Sequence, residues 1–390
     1  MNTPSPLSAA QRDEQDYLVA RESTPQELLV YASRKSGLSV MQIMRDFKIM
    51  AASHSRLNMV EYVRHGLFDF DKHDAIARGQ FISNDLHWGI THTCNNRGWS
   101  TVAEDKILAE TILKAGGIPV PETVAVIDTS PRVYPGIHKI INAEALRDFV
   151  MSDLGDGLFG KIVDGMVSFG AFRIDSADET YLKCAGQDPV TYATFMNTIV
   201  AGNSYVVQRK LSNHAAFAKY CSAIATVRMV NLVTNDGVHV PLSIVKLPQG
   251  DNIADAFWRP GNLASEVDVT TGQVKTIALR EGPEVTFMDD HPTHSGLMGL
   301  ILPHWDEVID INARAANLFG PIRYQSTDIA ITSKGPVIVE LNYGGGFDLP
   351  QYVSGRGMLT PKVRSFFEGF GYDFDAIKKK PSIIGRLFKR

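Results

Sequence analysis

The stretch Asp328-Ile-Ala-Ile-Thr-Ser-Lys-Gly-Pro-Val-Ile-Val-Glu-Leu-Asn342 decides the fold. Two short apolar runs flank a Ser-Lys-Gly-Pro turn, which predicts a β-hairpin. Side chains alternate along a strand, so Glu340 and Asn342 share one face, where Asp328 can join them. Three such oxygen donors suit Mg²⁺, which shares its ligands with substrate phosphates. Two acids and an amide facing solvent at a hairpin edge would give the same pattern, but the apolar flanks favour a buried metal site.

Helices and strands alternate along the chain on both sides of this hairpin. Apolar residues at helical spacing predict a helical N-terminal region over residues 1–100, most clearly from Thr24 to Phe68. Helices are also predicted over 104–115, 189–201 and 305–318, and strands over 123–127, 158–163, 204–208, 225–232 and 240–246. The interleaving predicts an α+β architecture rather than an all-β fold or a helical bundle.

The composition is that of a globular chain with a large core. A net charge of −4, from 39 basic and 43 acidic residues, gives no field that would attract nucleic acid, and no nucleic-acid partner is expected. The three cysteines are an odd number without CxxC spacing, which favours free thiols in a reducing compartment and predicts a cytoplasmic location. No apolar run of about 18 residues occurs, so no transmembrane segment is expected.

Two further strands carry candidate binding residues. Lys161 ends an apolar strand and precedes the glycine-containing loop 164–170, where an ammonium group and loop amides could meet a phosphate. A snorkelling lysine at a strand edge would look the same. Residues 205–211 are an apolar strand that becomes polar, which is typical either of a hinge or of a strand leaving the core. Along 225–231, alternation places Thr226, Arg228 and Val230 on one face.

Taken in order, these motifs resemble the ATP-grasp superfamily, most closely its sugar-transfer-associated branch. The resemblance covers roughly residues 104–366. It rests on the following motifs: Asp105-Lys106, Gly117-Ile-Pro-Val-Pro121, Lys161 with its loop, Val207-Gln-Arg209, Thr226-Val-Arg228, His291-Pro292, Leu302-Pro-His-Trp-Asp306, and Asp328 with Gly335 to Asn342.

The resemblance implies an ATP-grasp fold, in which two α/β lobes hold ATP between them, and it implies ATP and Mg²⁺ as cofactors. Position by position, it assigns Lys106 and Lys161 to the phosphates and Arg228 to the transferring phosphoryl group. The hinge, formed by Gln208, Arg209, Lys210 and Leu211, would hold adenine. Asp328, Glu340 and Asn342 would hold the metal ions.

The resemblance also divides the chain. We expect a helical region at 1–100, a linking helix and strand at 101–150, a small lobe at 151–212, a large lobe with the metal site at 213–370, and a basic tail at 371–390. Loop 164–170 departs from the family pattern. Met166, Val167 and Phe169 stand where relatives commonly carry glycine, which puts closure of the loop over phosphate in question.

The implied activity is that of a ligase that joins a carboxylate to an amine through an acyl phosphate, in the biosynthesis of a peptide, natural product or glycan conjugate. Its partners would be small-molecule or peptide acids and amines, and a homodimer is possible. Arg323 and the run Gly344 to Gly346 are candidates for a substrate pocket, although the glycines also suit a flexible turn. Residues 255–259 and 291–294 are candidates for substrate selection. A phosphotransferase acting on a hydroxyl group, or a noncatalytic nucleotide-binding protein, would use the same scaffold.

Overall fold

The structure is a computed structural model that describes residues 7–19 and 23–376. The predicted basic tail lies outside these residues from position 377 onward. None of the helices in the described ranges combines the length and the apolar character needed to cross a bilayer.

Helices fill the N-terminal part of the chain, as predicted. Three of them begin at a capping box, in which the cap side chain and the third helical residue each accept a bond from the other's backbone; the caps are Thr24, Ser39 and Asn58. The helices are α1 (Ala9–Val19), α2 (Pro25–Ser36), α3 (Val40–Ala52), α4 (Met59–Arg64), α5 (Ala75–Arg78), α6 (His87–Cys94) and α7 (Ser100–Glu104).

The first sheet follows a linking helix, α8 (Lys106–Ala115). Its strands are β1 (Thr123–Ile127), β2 (His138–Ile140), β3 (Leu158–Ile162), β4 (Phe172–Ala177), β5 (Tyr181–Cys184), β6 (Val190–Thr191) and β7 (Tyr205–Arg209). Within the described residues their order is β2-β1-β7-β3-β4-β5-β6, and only β1 and β2 pair in parallel. The sheet takes in β1 and β2, which lie N-terminal to the predicted start of the small lobe at residue 151.

Two further helices accompany this sheet. Helix α9 (Ala143–Asp153) lies between β2 and β3 in the chain, and α10 (Tyr192–Phe195) follows β6. The helix predicted over 189–201 is divided in the structure. It starts as a strand, becomes α10, and continues as a π-helical turn, Met196–Val200, that ends at Ala201 with a positive φ of 47°.

The second sheet is antiparallel and ends in the hairpin that opened the sequence analysis. Its strands are β8 (Thr226–Thr234), β9 (Gly237–Leu247), β10 (Leu263–Val267), β11 (Ala278–Arg280), β12 (Val285–Phe287), β13 (Tyr324–Thr332) and β14 (Gly335–Asn342). In the described part of the chain their order is β12-β11-β10-β9-β8-β13-β14. The remaining helices are α11 (Ala215–Ala218), α12 (Trp305–Leu318), α13 (Asp348–Ser354) and α14 (Pro361–Gly369).

The largest core lies between the second sheet and helices α8 and α12. Leu113, Val308 and Ile329 are among its buried side chains. The two sheets also meet directly, because the Lys161 ammonium group on β3 donates to the carbonyl of Val339 on β14, at 3.0 Å. The mixed helices and sheets confirm the predicted α+β class and the helical N-terminal region.

Candidate active site

Strand pairing brings together four charged side chains, Arg228, Lys246, Asp255 and Asp328, which we call the charge quartet. Arg228 on β8 lies opposite Asp328 on β13. Its Nε and Nη2 atoms donate to the two carboxylate oxygens of Asp328 at 2.8 and 2.7 Å. Lys246 on β9 bridges the two acids, with Nζ 3.2 Å from Asp328 and 3.0 Å from Asp255. Two cations therefore balance two anions.

The charge quartet is enclosed, and its charges depend on one another. Lys246 is 5% exposed and Asp328 is 4% exposed. Burial alone would raise the pKa of Asp328, but Arg228 and Lys246 outweigh it and lower the pKa below its usual range. The carboxylate is thus ionised and fixes the guanidinium plane of Arg228 through a two-bond fork.

A second group, consisting of Lys106, Lys161 and Glu340, lies beside the quartet, and we call it the lysine group. Lys106 is the first residue of α8, where its Nζ lies 3.2 Å from a Glu340 carboxylate oxygen and donates to the carbonyl of Gly165 at 2.7 Å. Burial lowers the pKa of Lys161 to about 8. Two ammonium groups share a single carboxylate, so this group carries more positive than negative charge.

Glu340, Asn342 and Asp328 all line the cleft between the sheets, but Asp328 is already paired with Arg228 and Lys246. Burial would raise the pKa of Glu340, but Lys106 and Lys161 lower it, so the carboxylate is ionised. The Asn342 Nδ2 atom is buried and has no hydrogen-bond partner among the described residues. Asp328, predicted as a metal ligand, instead accepts three bonds from Arg228 and Lys246.

The residues present fit a metal ion with two protein ligands rather than three. The described residues contain no cluster of three or more His, Cys, Asp or Glu side chains able to hold a metal ion. Mg²⁺, however, commonly uses one or two carboxylates and takes its other oxygens from water and substrate phosphates. The Glu340 carboxylate and the Asn342 amide oxygen form a set of that kind.

Loop 164–170 is held over the cleft by the second sheet despite its few glycines. Val167 and Ser168 have positive φ values of 52° and 59°, and this conformation is unfavourable for a β-branched residue such as valine. Trp258 Nε1 donates to the Val167 carbonyl at 3.2 Å, and Arg259 Nη2 donates to the Ser168 carbonyl at 3.3 Å. These contacts hold a backbone shape that glycines would adopt without strain.

Helix α1 covers the outer side of the same loop. The Asp13 carboxylate accepts a bond from the Gly170 amide at 2.8 Å and pairs with Arg259 at 3.1 Å. The Tyr17 ring packs edge-on against Phe169 and Trp258, with centroids 5.6 and 5.4 Å apart. The helical region, the loop and the second sheet therefore meet at one point.

The cleft itself is a cavity of about 320 Å³. Its walls include the whole charge quartet, Glu340 of the lysine group and the predicted glycine run Gly344 to Gly346. Aromatic residues line it as well, namely Tyr17, Trp88, Phe257, Trp258, Tyr343 and Tyr352. The Gly345 amide lies 3.3 Å from the His87 ring, whose pKa burial lowers to about 4. His87 is thus neutral at pH 7 and accepts this bond.

A neighbouring cavity of about 380 Å³ is lined by the hinge residues Gln208, Arg209, Lys210 and Leu211. The Gln208 amide turns away from it, donating to Thr123 at 3.2 Å and Glu110 at 3.4 Å. In the described part of the chain, the backbone carbonyl of Lys210 and the amide of Leu211 have no protein partner. Val339 lies at the rear of this cavity and also binds Lys161, so the hinge cavity adjoins the lysine group.

Arg323 does not lie with the other predicted site residues. Its carbonyl accepts a bond from Val233 at 2.7 Å, and its side chain lines a separate surface cavity with Asn96 and Asn317. His291, in the second candidate segment for substrate selection, bonds to Gln249 at 3.0 Å and does not line the cleft. The other candidate segment, 255–259, does reach the cleft.

The structure adds residues that sequence reasoning missed. Lys246 had the signal used for Lys161, a lysine at the end of an apolar strand, yet it was not singled out. Arg280 closes a three-residue strand, and Tyr17 lies on a mostly exposed helix; both line the cleft. Nothing in the local sequence of these two residues marks them, because only the tertiary fold brings them to the cleft.

Comparison with known proteins places this geometry in a family. The model described as sugar-transfer associated ATP-grasp matches residues 89–366, which is more than half of the chain. A search of curated protein sequences finds no significant match.

Solved structures give low-identity matches. The chain is similar to D-alanine–D-alanine ligase from Bacillus anthracis, at 12% identity and a TM-score of 0.40, over 73% of this chain and 71% of that one. It is similar to an L-amino acid ligase from Bacillus licheniformis, at 11% identity and a TM-score of 0.38, over 69% of this chain and 49% of that one. It is also similar to D-alanine–D-alanine ligase from Coxiella burnetii, at 15% identity and a TM-score of 0.38, over 75% of this chain and 63% of that one. The chain thus spans about half the length of the second and under two thirds of the third.

The family match begins in α6 and ends in α14. It therefore takes in both sheets, the charge quartet, the lysine group and the hinge. This confirms the resemblance and the fold predicted from the motifs, and the chain belongs to the sugar-transfer associated ATP-grasp family.

Proposed function

We propose that the protein is an ATP- and Mg²⁺-dependent ligase that joins a carboxylate to an amine through an acyl phosphate. One observation carries the proposal: where the two sheets meet, Lys106 and Lys161 place two ammonium groups near one carboxylate, Glu340, which lines the same cleft as a fixed arginine, Arg228. Phosphoryl transfer requires such positioning and charge stabilisation and needs no protein nucleophile.

The nucleotide would occupy both cavities. Adenine fits the hinge cavity, where the Lys210 carbonyl and the Leu211 amide offer one acceptor and one donor. Since the Gln208 side chain turns into the core, base recognition would rest on the backbone. The phosphates would then extend past Val339 to the lysine group, beneath loop 164–170. Lys106 also holds that loop through the Gly165 carbonyl, which couples loop position to phosphate binding.

The metal ion would be held by Glu340 and Asn342. When bound, Mg²⁺ neutralises the charge on the phosphate oxygens during transfer. Asp328 has a different role in this proposal: it orients Arg228, whose forked donors face the cleft from the buried quartet. We therefore assign Asp328 to positioning rather than to metal binding.

The chemistry proceeds in two displacements. A carboxylate oxygen of the acid attacks the γ-phosphorus of ATP, the bond to the bridging oxygen breaks, and ADP leaves. Arg228, Lys106 and Lys161 stabilise the negative charge on the transferring group. The amine then attacks the acyl carbon, inorganic phosphate leaves with the bonding electrons, and the nitrogen gives up a proton as the amide forms.

The substrates in this proposal are small acids and amines or peptides, and the reaction belongs to a biosynthetic pathway in the cytoplasm. Cys94, Cys184 and Cys221 are free thiols, which supports a reducing compartment. Substrate contacts would come from the cleft walls, including the glycine run and residues 255–258, and not from Arg323.

Trapping with hydroxylamine tests the reaction. The chain is supplied with ATP, Mg²⁺, a panel of carboxylic acids and hydroxylamine, and both ADP and hydroxamate are measured. A ligase gives ADP and hydroxamate in equal amounts with at least one acid, and Glu340→Gln gives neither. ADP release with alcohols and no hydroxamate with any acid would instead show a phosphotransferase. ATP binding without ADP release under all conditions would show a noncatalytic protein.

A further inference from the structure

The proposed reaction does not use two arginines at one side of the cleft: Arg280 lines the wall itself, and Arg64 lies behind Tyr352, which lines it. Arg280, the last residue of β11, lines the cleft. Arg64, the last residue of α4, is only 7% exposed, and its Nε atom has no hydrogen-bond partner among the described residues. The Arg64 guanidinium lies 5.8 Å from the centre of the Tyr352 ring, which also lines the cleft. We call Arg64, Arg280 and Tyr352 the arginine site.

No carboxylate of the described residues forms an ion pair with either of these two guanidinium groups. Across residues 7–19 and 23–376, neither forms an ion pair or a hydrogen bond through its side chain. The two nearby acids lie beyond ion-pair distance and are held by backbone amides: Asp348 accepts from the Leu349 amide at 2.9 Å, and Glu61 accepts from the amides of Asn58 and Asn84 at 3.0 and 2.7 Å. Burial and the neighbouring charge of Arg64 lower the pKa of Arg280.

Other enclosed arginines of the protein are treated differently. Arg228 is bonded to Asp328, Arg78 to Asp46, and Arg259 to Asp13. An arginine remains charged at any ordinary pH, and burying its charge without a partner is costly. Arg64 and Arg280 therefore resemble the lysine group more than a structural ion pair. In the lysine group, too, positive charge exceeds negative charge, and we propose that it binds phosphate.

We propose that the arginine site binds an anionic group, a carboxylate or a phosphate, which a substrate carries in addition to its reacting group. A planar guanidinium fork suits either anion, and the Tyr352 hydroxyl supplies one more donor at the same wall. The site shares a cavity with Glu340, Asn342 and Arg228, so one molecule can reach both ends. That the anion belongs to a substrate rests on the proposed ligase function. That the site binds an anion does not.

Binding without turnover is the first test. The full chain is saturated with a non-hydrolysable ATP analogue and Mg²⁺, which fills the lysine group, and is then titrated with succinate, inorganic phosphate or pyrophosphate at constant ionic strength. Fluorescence reports occupancy because Trp88 and Trp258 line the cleft. We expect saturable binding of at least one probe, weakened at least about tenfold by Arg280→Gln and less by Arg280→Lys. Arg314→Gln is the matched control, because Arg314 lies on α12 outside the cleft.

Comparison of the probes tells a carboxylate site from a phosphate site. Absence of saturable binding, or equal binding to the wild type and Arg280→Gln, overturns the inference. A melting temperature is recorded for each variant. If Arg280→Gln does not fold, Arg64→Gln and Arg280→Lys decide the matter by the same criterion: unchanged probe affinity in both overturns it.

Turnover supplies the second test and separates the two proposals. Acids are compared in pairs that differ by one terminal carboxylate, such as butyrate and glutarate, in the hydroxamate assay. Arg280→Gln should raise KM for the diacid at least about tenfold and leave the monoacid unchanged. If monoacids and diacids react alike and the variant has no effect, the inference fails while the ligase function stands. If no acid reacts but the probes bind through Arg280, the ligase function fails and the anion site stands.

Discussion

The charge quartet and the lysine group are neighbours where the two sheets meet, yet they differ in how their charges are matched. In the quartet, Arg228 and Lys246 each form an ion pair, and together they meet two carboxylates. In the lysine group, two ammonium groups lie near one carboxylate, Glu340. Lys106 pairs with it, and Lys161 donates to the backbone carbonyl of Val339. Paired charges fix the positions of their side chains, whereas excess positive charge is available to bind an anionic ligand.

The largest effect should follow from Glu340→Gln. The substitution removes the only carboxylate of the lysine group and one of the two proposed metal ligands, while keeping the size of the side chain. We expect kcat to fall by about 10²- to 10³-fold and the Mg²⁺ concentration for half-maximal rate to rise. The measurement is ADP release across a Mg²⁺ titration, with Glu144→Gln on the exposed face of α9 as control. Near-normal activity would remove Glu340 from the metal site.

Asp328→Asn tests the quartet and should have a smaller effect on rate. Losing the two-bond fork lets Arg228 move, and a misplacement of about 1 Å costs up to about 100-fold in rate. It also leaves two buried cations facing Asp255 alone, so the melting temperature should fall. The Mg²⁺ dependence should stay as in the wild type. If the Mg²⁺ requirement rises as it does for Glu340→Gln, Asp328 is a metal ligand after all.

The lowered pKa of Lys161 predicts a pH effect on nucleotide affinity. Below pH about 8 the ammonium form dominates and attracts phosphate; above it the charge is lost. We therefore expect KM for ATP to rise with pH by up to about tenfold per unit above pH 8, since one proton must be regained on binding. Lys161→Arg keeps its charge and should flatten this rise up to pH 9.5. A wild-type profile as flat as that of the arginine variant would contradict the assignment.

The smallest effect is expected at the loop, where Asp13→Ala removes the contacts from α1 to Gly170 and Arg259. A partly exposed hydrogen bond and ion pair together stabilise by about 1 kcal/mol, which corresponds to roughly a fivefold rise in KM for ATP. Asp16→Ala, on the exposed side of the same helix, is the matched control. Equal kinetics for the two variants would show that the helix does not support the loop.

The sequence predicted the parts of the fold that depend on the local spacing of apolar residues. Strand β1 and helix α12 have the predicted bounds, and the hairpin places Glu340 and Asn342 at the cleft as alternation requires. The π turn at 196–200 was not foreseen, because apolar spacing does not distinguish it from an α-helix.

The site was predictable only where a motif carried it. Arg228 was found on a strand face, but its pairing with Asp328 depends on the register between β8 and β13, which no local pattern reveals. No local pattern therefore distinguishes a metal ligand from a positioning carboxylate at Asp328. Tyr17 and Arg280 line the cleft and Arg64 packs behind Tyr352, and only the folded structure joins these three distant parts of the chain.

The contacts of α1 have a consequence for the order of folding. Asp13 is bonded to Gly170 and Arg259, partners 157 and 246 residues further along the chain. During synthesis from the N-terminus the helix is made well before the residues that it contacts. Contacts of such long sequence separation form slowly, because a long loop must first close. The nucleotide site should therefore form late. A ribosome-bound chain that ends before the second sheet would contain loop 164–170 and α1 but not the contacts from Trp258 and Arg259.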